Sequence, residues 1–375
     1  MLRKPVVLAG LSLILFSSWA VGCGSDSSGS GGGGGTGAGG PSGPGVQPPD
    51  RPEGASPGDG DGTAFAVSEL FLGDTDRNGS SNPGAWKQFG YDLDGKISTK
   101  DSTDLCKPNS GGAPGTVYAD GDDGIDNSFG KILLPIITSF APTASADINE
   151  SIQEGGFTII VNIDDLGAGQ NYDPLTAGLF AGVTLVDDPH AAMPMELTPA
   201  FDGTDLWPVA PELLATGSPM DNCQDDPCTS QVVFNQAYMT DGTFVSGSPG
   251  SLDLALSVAG FSLNLTIAQA VISMDINEAR TDAQNGTIAG VIPVEQLISE
   301  LQKVAGSFDE GLCSGTTFES IADQIRQASD IMADGSQNPD ETCNAISIGL
   351  GFNAKPVLVG VVDNPAEPQP DPCAM

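Results

Sequence analysis

Between Leu252 and Ile276 apolar residues recur at every second position in three successive stretches: Leu252, Leu254, Leu256 and Val258; Leu263, Leu265 and Ile267; then Ile272, Met274 and Ile276. A period of two sends alternate side chains to opposite faces of a strand, and a helix cannot satisfy it. With Gly260 intervening, the stretches read as an antiparallel meander with one buried face. Asn285-Gly286 supplies a hairpin turn before residues 287–292, and Ile346, Ile348, Leu350 and Phe352 alternate once more. Residues 64–72, 157–163, 182–186 and 232–239 are further short apolar runs bounded by Gly, Asp and Asn, the pattern of strands between turns.

Helices are few. Pro293 stands where a first helical residue would, followed by Val294, Leu297, Ile298, Leu301 and Val304 at helical spacing. Thr316-Thr317-Phe318-Glu319 matches a capping box, with Phe318, Ile321, Ala322, Ile325, Ala328 and Met332 on one stripe and Gly335 past its end. Residues 145–154 and 130–140 read as two shorter helices. Strands outnumber helices without βαβ alternation, so the expected fold class is mainly β, an antiparallel β-sandwich or jelly roll with a few peripheral α-helices. Residues 63–362 are enough chain for one substantial core.

Residues 23–62, with the glycine run 31–35, have no apolar periodicity and read as a Gly/Ser/Pro-rich flexible tether, while residues 363–375 form a Pro-rich C-terminal tail. At the other end of that tether, Arg3 and Lys4 precede an apolar run over residues 5–16 and the small residues before Cys23, the order of a secretory signal. A Cys directly after the cut resembles the lipobox of bacterial lipoproteins, with Ala20 where that family prefers Leu. The resemblance covers this segment only. It implies removal of residues 1–22, acylation of Cys23 as the new N-terminus, and, since Gly24 replaces a retention Asp, an outer-membrane or cell-surface location. The alternative is ordinary secretion. The next apolar candidate, residues 132–140, is short and holds Pro135, so it does not span a bilayer.

Charge narrows the partners. The chain has 13 Lys+Arg against 49 Asp+Glu, a net charge of −36. Nucleic acid needs a basic footprint and is excluded as a partner. Electrostatic adhesion to anionic lipid is excluded likewise, which leaves acyl chains on Cys23 as the expected membrane attachment. Of the acids 36 are Asp and 13 Glu, a bias toward turns and cation loops rather than helix faces.

Six cysteines remain besides Cys23, an even number that favours disulfides, with fifteen connectivities. Cys223 and Cys228, in NCQDDPC, suit a local bridge. A return of the chain along the helix beginning near Thr317 would let Cys313 meet Cys343, leaving Cys106 for Cys373. Zinc is disfavoured by the lack of CxxC and by His190 being the only His.

Three aspartate clusters fall within residues 63–130: Asp74, Asp76 and Asn78 in DTDRNG; Asp92 and Asp94 in GYDLDGKIS; Asp120, Asp122, Asp123, Asp126 and Asn127 in DGDDGIDN. Carboxylates two apart beside a Gly can converge on a hard cation. GYDLDGKISTKD resembles the EF-hand loop in placing Asp92, Asp94, Gly95, Ile97, Ser98 and Asp101 at its third, fifth, sixth, eighth, ninth and twelfth positions. It departs at the first, held by Gly90, and lacks a preceding helix, so the set would be completed from Asp74/Asp76 or Asp120/Asp122. DGDDGIDN resembles the calcium loops of thrombospondin type 3 repeats. Together the resemblances imply structural Ca2+ on Asp74, Asp76, Asp92, Asp94, Asp120, Asp122 and Asp126. The alternative is Asx-turn chemistry with a helix cap from Asn127 or Ser128.

The HExxH signature is missing from the sequence, and His190 in DDPHAAMP reads as a solvated loop residue. A glycosidase-like carboxylate pair stays open. Asp202, Asp205 and Trp207 lie in an aromatic and acidic segment that reads either as a sugar-binding platform or as a core plug. The Leu252 to Ile276 stripe reads as core packing, with a lipid cavity as the alternative. The chain resembles exported bacterial lipoproteins with aspartate-rich phrases. The expected function is therefore a non-enzymatic envelope lipoprotein, calcium-stabilised, binding an envelope or extracellular ligand in adhesion or envelope structure. The alternative is a tethered polysaccharide hydrolase.

Overall fold

The computed structural model describes residues 45–224, 226–247, 250–258, 261–308 and 316–364. The signal segment with Cys23, together with Cys313, Cys373 and the C-terminal tail, lies outside them. Among the described residues ten strands form one sheet: β1 (Thr63–Phe71), β2 (Thr158–Ile163), β3 (Tyr172–Gly182), β4 (Leu206–Val209), β5 (Val232–Thr240), β6 (Thr243–Val245), β7 (Gly250–Val258), β8 (Phe261–Ile276), β9 (Ala283–Pro293) and β10 (Ala345–Val362). The helices are α1 (Pro114–Val117), α2 (Leu134–Phe140), α3 (Ala144–Gln153), α4 (Val294–Phe308) and α5 (Thr316–Gln327).

The antiparallel pairs β1–β2, β2–β3, β3–β5, β5–β6, β6–β8, β8–β9, β9–β10 and β10–β1 return to their starting strand. Closure of this kind removes the unpaired edges that invite aggregation. β7 continues outward along β8, and β4 adds the parallel pairing, beside the end of β10. The mainly β, largely antiparallel architecture is the expected one.

Alternation then sorts the side chains. On β1, Phe65 and Val67 join the main core with Val161, Leu175, Met239, Phe244, Ile272, Met274, Ile288, Ile348 and Phe352. Ala64 and Ala66, on the other face, pack with Ile160, Phe180, Trp207 and Val209. Helices α3, α4 and α5 add Ile148, Ile152, Leu297, Phe318 and Ile325 to the main core. Tyr91, with Val46 and Leu93 packed alongside, covers Tyr238, Val245, Val271 and Ala289, so the aspartate-rich region is laid over strands β5, β6, β8 and β9.

Several local expectations are corrected. The stretches 263–267 and 272–276 are one strand, β8, in which Gln269 (φ +52°) and a register shift between Ala268 and Val271 mark a bulge. The extra residue re-phases the alternation, so Ile267 and Ile272 both stay buried despite opposite parity. Asn285-Gly286 lies inside β9, where a Cβ on Gly286 would meet the Phe352 ring at 2.6 Å. The β8–β9 turn is made instead where Asn277 N donates to Asp282 O. Residues 183–186 are not strand; β3 ends at Gly182, disguised in sequence by Pro174 and its glycines. Helix α5 stops at Gln327 rather than near Gly335, because Ile331 pairs with Ala345.

Residues 45–62, expected from composition to belong to the tether, lie against the domain. Val46 N donates to Asp123 O, Pro49 O accepts from Tyr238, Arg51 pairs with Asp173 and stacks on Tyr238, and Asp59 accepts from Tyr172. A polar segment can lie against a domain through backbone bonds and a few side chains without apolar periodicity, so the folded part begins by Gly45.

Candidate metal centre

After a single turn at Ala85–Gln88 the chain passes Gly90 (φ +126°), where a Cβ would press on Ile125 and Asp126 O, and enters the Asp92–Gly95 loop. Gly95 (φ +75°) turns the backbone so that its N–H and that of Lys96 both donate to Asp92 Oδ1, at 2.7 and 3.0 Å. Asp92 Oδ2 accepts from Gly45 N at 2.5 Å. Asp94 accepts from Lys96 N at 2.8 Å and from Gln337 Nε2 at 2.8 Å. Asp126 comes in from the third cluster and accepts from Leu93 N at 2.7 Å. Carboxylate oxygens of Asp92, Asp94 and Asp126 thereby lie within 4.8 Å of one another, with Asp92 and Asp126 buried.

Two more acids surround them. Asp120 accepts from Ser98 N, and Asp330 accepts from Ser347 N at 2.9 Å and Ser347 Oγ at 2.5 Å. Burial, and after it neighbouring carboxylates, raises these groups: Asp94 and Asp330 to about 6, Asp120 to about 8, and Asp126 well above the ordinary range. Lys131 contributes positive charge toward Asp330 and Asp120, while its ammonium donates to the carbonyls of Ala119 and Val117.

So much buried negative charge requires protons or a cation. Asp92, Asp94 and Asp126 could hold a metal ion, and an all-oxygen donor set suits the hard cations. The buried hydroxyls of Ser98 and Ser329, the latter adjoining Asp330, have no hydrogen-bond partner, as expected beside a site completed by an ion or its waters.

The remaining expected ligands are elsewhere. Asp122 is exposed on the short turn Asp122–Gly124. Asp74 and Asp76 form their own loop, where Asp76 Oδ1 accepts from Asn78 N and Ser80 N and Thr75 bridges Ser81. Asp76 thus makes the Asx-turn of the alternative while Asp74 Oδ1 is buried without a partner, and Asp126 rather than Asp74/Asp76 lies with Asp92 and Asp94. Asn127 accepts from Gly130 N and donates to the carbonyls of Trp86, Phe89 and Gly349. Sequence reasoning missed Asp330, Gln337 and Ser347, which no spacing connects to the aspartate loops.

The disulfide pairing is partly corrected. Cys223–Cys228 forms as expected, but Cys106 bonds Cys343, 237 residues away, in place of the Cys313–Cys343 and Cys106–Cys373 pairs. Reciprocal bonds from Lys107 N to Glu341 O and from Cys343 N to Lys107 O lay the two segments side by side. Both bridges point to an oxidising compartment of the kind exported proteins enter. Trp207 is fully buried, donates to Val183 O at 2.7 Å and packs on Phe201, so it is a core plug and not a sugar platform. Asp202 caps Thr204, and Asp205 accepts from Ala200 N and Phe201 N. No protein-family model, no curated protein and no solved structure matches the chain.

Proposed function

We propose that this chain is an exported lipoprotein, anchored through acyl chains on Cys23, whose folded part is a calcium-stiffened β-domain serving adhesion, ligand binding or envelope structure. The observation that carries the proposal is the carboxylate group of buried Asp92 and Asp126 with half-buried Asp94, flanked by Asp120 and Asp330. Its oxygens are oriented by backbone N–H donors from a turn, as in loops that hold calcium. The acids come from segments 92–94, 120–126 and 330, so an ion there would join distant parts of the chain. A polysaccharide hydrolase needs carboxylates that a sugar can reach, whereas Asp92 and Asp126 are 3% and 5% exposed. The test is calcium titration of the mature chain by calorimetry, with melting measured beside it. At a hundred times the dissociation constant a ligand specific to the folded state stabilises by about 2.7 kcal/mol. Melting should therefore rise in calcium and fall in chelator, and Asp126→Asn should abolish the response. A melting temperature that chelator leaves unmoved would refute the calcium reading.

A further inference from the structure

Residues 187–195 form a closed loop far in sequence from the acidic centre. An antiparallel bridge between Val186 and Glu196 shuts it, supported by Asp187 N to Met195 O at 3.1 Å and Leu197 N to Leu185 O at 2.9 Å. Asp187 Oδ1 accepts from Met195 N at 2.8 Å, and at the tip Asp188 accepts from His190 N and Ala191 N. This loop carries the only His of the chain and two methionines, Met193 and Met195, that are 88% and 60% exposed. Burying a methionine side chain stabilises by roughly 1.5–3 kcal/mol, so two left in water within three positions call for another use.

The donor chemistry is specific. Thioether sulfur is soft and polarisable and imidazole nitrogen is borderline, a combination that selects Cu(I) over the hard cations suited to carboxylates. Two residues separate His190 from Met193, so their Cα atoms are at most about 10 Å apart, within joint reach of two long side chains. Met193 precedes Pro194 and is therefore held toward extended backbone, in which residues two apart share a face, here Met193 and Met195. Pro189 and Pro194 restrict the loop and lower the entropy lost on ordering it around an ion. The carboxylates Asp187, Asp188 and Glu196 supply negative charge, with Asp187 held below the usual carboxylate range by the N–H groups of Met195 and Asp188.

We propose that this loop binds one Cu(I) ion through a ring nitrogen of His190 and the sulfurs of Met193 and Met195. The ion enters and leaves as Cu(I), so no redox step is involved.

The test uses the mature chain with free thiols blocked by N-ethylmaleimide, titrated anaerobically with Cu(I) in ascorbate against bicinchoninate, with the methionine methyl carbons followed by NMR. One equivalent should be withdrawn from the chelator, shifting Met193 and Met195 but not Met220. Loss of a direct ligand should cost at least the roughly hundredfold that a supporting residue can cost, so Met193→Leu/Met195→Leu should fail to compete while melting unchanged. His190→Asn, also on the surface, should weaken binding on its own. No withdrawal, undiminished withdrawal by the double variant, or shifts confined to other methionines would each overturn the proposal. Asp92→Asn/Asp126→Asn should leave Cu(I) uptake intact and the methionine variant should keep its calcium response, so the two metal readings fail separately.

Discussion

Without a bound cation, the stability of this protein should fall as pH rises from about 4 to 8. Asp94 and Asp330 protonate at about 6 and Asp120 at about 8 in the folded chain, against an ordinary value of 3.8. The native state therefore holds more protons than the unfolded state across this window. Its favourable contribution is complete below about pH 4 and is lost as pH rises through the folded values. Asp330, held by two hydrogen bonds from Ser347, is the cleanest group to test. Its rise of about 2 units at 1.36 kcal/mol each gives a swing of about 3 kcal/mol. Asp94 and Asp120 act in the same direction, but the groups share one field and their contributions do not simply add. Glu295 is lowered by Arg326 and opposes the trend only weakly, because that pair is exposed. The net charge of −36 relaxes on acidification with the same sign, so pH alone does not isolate the site. Asp330→Asn does, since the amide oxygen can still accept from Ser347 N. Urea unfolding in chelator between about pH 3 and 7.5 should show the variant matching wild type at the acid end and exceeding it by about 3 kcal/mol at the other. Saturating calcium should narrow that gap. Parallel profiles for the two proteins, or wild-type stability rising with pH in chelator, would refute the account.

Cys106→Ser should cost about 2–5 kcal/mol by urea unfolding, and non-reducing peptide mapping of wild type should recover Cys106 linked to Cys343. Trp207→Ala should cost about 3–5 kcal/mol through the cavity and the orphaned Val183 carbonyl, read as a lowered melting temperature. Cys23→Ser should release the protein from membranes and abolish labelling by fatty acid, and unchanged attachment would remove the lipoprotein proposal.

What the sequence disclosed follows the range of the forces involved. Strands β1, β2, β5 and β10 and helices α3 and α4 were legible because burial of one face is a local pattern. Where one residue re-phases a strand, the same pattern misleads. Gln269 turned one strand into two in the reading of β8, and Asn285-Gly286, a strong hairpin signal, is used inside β9 because Gly286 makes room for the Phe352 ring. Asp92 and Asp94 were visible as a loop motif. Their partners were not, since only the fold brings Asp126, Asp330 and Gln337 to them.

Gln337 shows why these long-range elements belong together. Its amide nitrogen donates to Asp94 Oδ2 and to Asp330 O, and its oxygen accepts from Cys106 N. Cys106 Sγ in turn packs 3.5 Å from Asp330 O. The disulfide and the carboxylate group therefore fasten the same two segments, one after β1 and one before β10. A covalent bridge across this junction restricts the unfolded chain, which is where most of its stabilisation originates. It also holds Asp330 close to acids that would repel it if uncharged partners were all that joined them. A cation acts on the folded side of the balance, by removing that repulsion. Neither substitutes for the other: the bridge makes the approach of so many carboxylates inexpensive in chain entropy, and the ion makes it tolerable in charge.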